Sequence, residues 1–129
     1  MKVTINEPPR TFKVGPAGRI QLKDCAHINL EADEQITLKT EDGGEYDLVR
    51  KEWGFYATPS LNGRLPRFGL RAVLVRSPGN LYYVMLVEVG KESLFHEYLA
   101  LENHQIISWL DSQKALDHLA KVLDENDKP

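Results

Sequence analysis

A single cysteine, Cys25, stands in 129 residues. That excludes an internal disulfide and suits a reducing compartment. No apolar run approaches the length of about 20 residues that a membrane helix needs, and the opening MKVTINEPPR carries no signal-peptide core. The sequence therefore reads as cytoplasmic, with no membrane partner. Motifs that announce chemistry are also missing: no G-x-S-x-G elbow, no Walker loop and no dinucleotide fingerprint. Neither C-x-x-C nor H-x-x-x-H occurs, and the lone C-x-H of Cys25 and His27 falls well short of the four ligands of structural zinc. No metal and no cofactor is expected.

What is present is ordinary globular composition, 42% hydrophobic and 27% charged, enough for one domain over 1–129 with 1–10 and 125–129 as loose ends. The net charge of −3 hides a segregation. Residues 1–49 sum to −3 and 77–129 to −5, whereas 50–76 carry +5 from Arg50, Lys51, Arg64, Arg67, Arg71 and Arg76 against Glu52. A local positive patch can hold an anion, while overall acidity disfavours nucleic acid.

Period-two alternation marks strands: Ile20 and Leu22 in RIQL, Ala26, Ile28 and Leu30 in AHINL, Ile36 and Leu38 in QITLKT. Each should cover a core on one side and meet water on the other. Asp42-Gly43-Gly44 and Pro78-Gly79 supply turns, the second expected as type II with Gly79 left-handed. Pro78-Gly79 joins GLRAVLV to LYYVMLVEV, two apolar runs expected as central strands buried on both faces and as the spine of the fold. Beyond Gly90 the period turns helical. Leu94, Phe95, Tyr98 and Leu99 share one side of a helix ending at Asn103, QIISWL reads as a strand, and Asp111 or Ser112 caps a last helix striped by Leu116, Leu119, Ala120 and Leu123. The fold class is α+β: mostly antiparallel sheet, barrel or sandwich, over about 11–89, then two C-terminal helices flanking a short strand. In strand count the β part resembles a cupin-like jelly roll. The paired histidines and glutamate of that family's metal motif are absent, which leaves only a metal-free member that binds or isomerises sugars.

The segment KEWGFYATPSLNGRLPRFGLRAVLV, 51–75, is the candidate site. A strand ending near Ala57, a loop of about ten residues and a strand restarting near Phe68 exceed an ordinary hairpin connection, and long loops often carry function. Trp53 and Tyr56 can stack on a sugar or base. Ser60 and Asn62 offer neutral hydrogen bonds, and Arg64, Arg67 and Arg71 offer planar forks for phosphate or carboxylate. The first expectation is a binding domain, not an enzyme, for an anionic sugar-like or nucleotide-like ligand. A second is a protein–protein interaction module or homodimer using the same aromatic and arginine segment, since Trp, Tyr and Arg dominate interface energies. A third is a small metal-free isomerase or epimerase on a sugar derivative, with His27 or Tyr56 as its base. A concave pocket lined by the arginines would favour ligand binding, and a protruding patch would favour an interface.

Overall fold

A computed structural model describes residues 1–15 and 17–126. The architecture is α+β with antiparallel sheets and no closed barrel: one two-stranded ribbon and two three-stranded sheets. The expected single domain meets a finer division into two compact units, 1–36 with 48–57 and 37–47 with 58–129.

In the first unit, β1 (Lys2–Val14) pairs antiparallel with β2 (Ile20–Asn29). The leader expected to be loose is thus strand. Its register runs from Lys2 opposite Asn29 to Ile5 opposite Ala26, slips, and resumes at Arg10 opposite Asp24. The slip contains Pro8 and Pro9, which have no N–H to give a ladder. RIQL and AHINL, two separate runs in the sequence pattern, belong to the one strand β2. The alternation predicts a covered side that forms only in part: Ile20, Ala26 and Leu30 are half-buried, and none of the expected inward residues is fully buried. Val3, Ile5, Leu22 and Ile28 remain exposed, because two strands without a covering layer leave both faces open.

The strands β3 (Gln35–Lys39) and β4 (Glu45–Lys51) pass from one unit to the other, and β5 (Gly54–Ala57) pairs with the end of β4. The Asp42-Gly43-Gly44 turn forms as expected between β3 and β4, with Gly43 at φ 99° and Thr40 N–H donating to Gly44 O at 2.9 Å.

The second unit holds the core. β6 (Leu70–Arg76) lies between β7 (Tyr82–Glu88) and β8 (Gln105–Trp109). Against one face packs α2 (Glu92–Glu102), whose Phe95 and Leu99 meet Val73, Val75, Val87 and Met85. On the other face Leu65, from the single turn α1 (Arg64–Arg67), closes on Leu70 and Ala72 with Tyr46, Leu86 and Leu110. β6 is the buried spine, as the sequence predicts. β7 is an edge strand, and Tyr82, Tyr83 and Val84 in its first half are exposed because neither core cluster extends to them. The turn also differs from expectation. Ser77 O accepts from Asn80 N–H at 3.0 Å, and the left-handed residue is Asn80 at φ 62°, not Gly79. This is a three-residue hairpin connection, in which the left-handed position follows the turn.

Asn103, at φ 56°, ends α2 in the left-handed conformation read from the sequence. Ser112 Oγ accepts from Ala115 N–H at 3.2 Å to cap α3 (Gln113–Asn126), so of the two capping candidates the serine serves. Glu125 and Asn126, expected to be loose, complete α3, and 127–129 lie outside the described residues. The apolar stripe of α3 buries no side chain.

Candidate functional site

The candidate residues divide between the two units. Trp53 and Tyr56 belong to the first; Ser60, Asn62, Arg64, Arg67 and Arg71 belong to the second.

Lys51 pairs with Gly54, so Glu52 and Trp53 form the whole connection of the β4–β5 hairpin. Neither has positive φ; Gly54, at 149°, takes the conformation that side-chain-bearing residues avoid. The sequence pattern shows only a strand ending near Ala57 and no turn at Glu52-Trp53, because that pair lacks the Asn-Gly or Asp-Gly signature of short hairpins. The consequence is exposure. Trp53 stands at the tip with 73% of its surface accessible, followed by Phe55 at 62% and Tyr56 at 50%. The guanidinium of Arg50 lies 5.7 Å from the centre of the Phe55 ring and donates to Gly54 O at 3.2 Å, holding the far side of the turn.

Beside Trp53 lies an open recess of about 230 Å³ lined by Ala32, Asp33, Lys51 and Glu52. Lys51 Nζ meets Asp33 Oδ1 at 2.5 Å, and Asp33 N–H donates to Arg50 O at 2.7 Å, which fastens the β2–β3 turn to β4. With two carboxylates against one ammonium the recess carries net negative charge, a poor place for an anion. A second recess of about 270 Å³ is lined by Met1, Lys2, Asn29, Leu30 and Glu31, and neither recess includes Arg64, Arg67 or Arg71.

In the second unit the loop residues fasten the loop. Ser60 Oγ accepts from Arg64 N–H at 2.9 Å, and Ser60 O accepts from Leu65 N–H at 3.0 Å, so Ser60 starts the α1 turn. Asn62 Nδ2 donates to Gln113 Oε1 at 2.6 Å, tying the loop to the head of α3. Arg64 donates to Thr58 Oγ1 at 2.6 Å, lies 3.7 Å from Asp47 and spreads over Phe68. Arg71 is held by Asp111 at 2.6 Å and Glu92 at 3.2 Å, with its guanidinium carbon 4.0 Å from the centre of the Trp109 ring. Hydrogen bonding to Asp111 raises the Arg71 pKa above its ordinary value. Arg67 is exposed and bears no ion pair among the described residues. Asp47 and Glu92, and Asp111 as an ion-pair partner rather than a helix cap, engage two of the arginines and are not marked as their partners by the sequence pattern. Asp111 is 40 residues from Arg71, and no sequence spacing announces such a partner.

His27 Nε2 sits 3.2 Å from Asp24 Oδ2 on an exposed strand, and Tyr56 is exposed on β5. Cys25 donates weakly to Lys23 O. Among the described residues no three His, Cys, Asp or Glu side chains gather as a metal site would require. No family model, no curated protein and no solved structure matches this chain.

Proposed function

We propose that the chain is a protein-interaction module and that the β4–β5 hairpin tip is its recognition surface. The observation that carries this reading is Trp53, the most exposed large apolar side chain among the described residues, held on a two-residue turn. A projecting Trp with Phe55 and Tyr56 behind it offers large, rigid, amphipathic contact area, the kind that supplies hot spots when a partner desolvates it. The chemistry of the arginines points the same way. An incoming phosphate would compete with Asp111 and Glu92 for Arg71 and with Thr58 and Asp47 for Arg64.

The reading is tested with a photo-crosslinking side chain at position 53, in parallel with amide-shift titrations of labelled protein against sugar phosphates, nucleotide sugars and nucleotides. A discrete crosslinked partner, whose binding to otherwise native protein falls at least tenfold on Trp53→Ala, is the expected result. Saturable small-molecule shifts confined to 53–71 would overturn it in favour of an anionic sugar-like or nucleotide-like ligand.

A further inference from the structure

We infer that two copies of this chain join through the outer edges of β7 to form one antiparallel sheet. The inference is independent of the Trp53 surface, which lies on other strands.

The direction of the free backbone groups follows from the hairpin ladder. At one end Ser77 N–H donates to Leu81 O at 2.8 Å, and at the other Val89 N–H donates to Gly69 O at 2.9 Å. The register between them is unbroken over seven pairs from Leu70–Glu88 to Arg76–Tyr82. Hydrogen-bonded and non-bonded pairs alternate along an antiparallel ladder, so Tyr83, Met85 and Val87 turn their N–H and C=O toward β6. Tyr82, Val84 and Leu86 turn theirs outward. Among the described residues no backbone hydrogen bond reaches these outward groups. The side chains on this stretch are open as well, Tyr82 at 56% and Val84 at 61% exposure.

Natural edges are guarded by Lys, Pro, bulges or shortness. The other outer strands have such guards: β1 carries Pro8, Pro9 and a register slip, β2 carries Lys23, β3 ends in Lys39, β5 has four residues, and β8 pairs with β6 through a register shift. Leu81–Val87 has none. An edge without guards and without charge is one that meets a partner.

That partner is a second copy because the strand complements itself. A two-fold axis beside Val84 sets Val84 against its own counterpart and Tyr82 against Leu86, and all three residues present outward groups. About six inter-strand hydrogen bonds can form. Tyr82, Val84 and Leu86 lie on one face, so the apolar side chains of both copies align there, while Tyr83 meets Met85 on the other. Glu88, the one charged residue of β7, falls opposite Asn80, and the two Glu88 carboxylates lie at opposite ends of the pair. A parallel arrangement would set them side by side. The antiparallel pair is isologous and closes at two chains.

The test is mass and amide exchange on the intact chain. Sedimentation should give a dimer, twice 14.7 kDa, that dissociates on dilution. Hydrogen exchange at Tyr82, Val84 and Leu86 should slow at least tenfold between dilute and concentrated protein, with Met85 and Val87 protected throughout. Val84→Lys should give a monomer with an unchanged circular dichroism spectrum. In a Cys25→Ser background, Val84→Cys should oxidise to a disulfide-linked dimer. A monomer at every concentration, or a dimer whose Tyr82, Val84 and Leu86 amides exchange freely, would overturn the inference. Protection of those amides only on adding a different protein would assign the edge to that partner and overturn self-pairing.

Discussion

The guanidinium of Arg71, on β6, and the carboxylate of Asp111, just past β8, form a two-pronged ion pair: Nε to Oδ2 at 2.6 Å and Nη2 to Oδ1 at 3.4 Å. The pair sits against the face of Trp109, and Glu92 at the start of α2 takes a third guanidinium nitrogen. One cation thus joins β6, the segment after β8 and α2. Its partial burial and fork geometry make it worth more than a solvated surface bridge.

Asp111→Ala should therefore lower the stability of the second unit by about 1–3 kcal/mol, since the remaining Arg71 charge keeps only Glu92. Arg71→Lys keeps the charge but loses the fork and the stacking, and should be similarly destabilised. Urea unfolding followed by Trp109 fluorescence in a Trp53→Phe background isolates this unit, because the chain has two tryptophans. Equal stability of Arg71→Lys and the parent would mean that charge alone matters there.

Leu65 is fully buried although it lies in a four-residue helical turn. Leu65→Ala should cost about 2–5 kcal/mol by leaving a cavity over Leu70 and Ala72. Ser60→Ala should cost about 1 kcal/mol through the lost hydrogen bond to Arg64 N–H. Denaturation midpoints measure both. The ratio shows whether packing or capping holds the loop.

Asn103 supplies the left-handed end of α2. Asn103→Gly should be neutral or stabilising by a few tenths of a kcal/mol, whereas Asn103→Val should destabilise by about 1–2 kcal/mol, since a β-branched side chain resists positive φ. Thermal unfolding of the two variants provides the comparison. A tolerant Asn103→Val protein would mean that the helix ends elsewhere in solution.

The acid side of the stability profile follows from Asp42, Glu88 and Glu92. Lys91 lowers the Asp42 pKa; Thr40 and then Lys91 lower that of Glu88; backbone N–H groups of Glu92 and Gly90, then Arg71, lower that of Glu92. Folded values below the ordinary 3.8 and 4.5 mean the stabilisation is complete above the ordinary range and disappears as pH falls through the folded values. Stability should be flat near neutrality and drop below about pH 4.5. Lys91, raised from 10.5 by Asp42 and Glu88, contributes with the opposite sign, fully below 10.5 and lost only in strong alkali. Lys91→Met should flatten the acid limb. Denaturation from pH 7 to pH 2 reads the slope directly, and an unchanged slope would show that Lys91 does not govern these carboxylates.

The local elements were legible because their signals are local. Apolar spacing marked α2 and α3, Asn103 marked a helix end, Gly43 a hairpin, and β-branched runs the β6–β7 pair. Within the candidate segment, the end of β5 at Ala57 was legible too. The tip at Trp53 was not, because its positive φ falls on Gly54, one place beyond the turn.

Residue chemistry by itself determined which stretches could be strand or helix, since alternation and the 3.6-residue period follow from backbone geometry alone. Only the tertiary structure decided which strands are covered and which charges are spent. Burial depends on a second layer: β6 has α2 and Leu65 above and below it, while β1 and β2 have no such cover. An arginine's availability depends on acids far along the chain. Arg71 looked free in sequence, and the antiparallel pairing of β6 with β8 brought Asp111 to it.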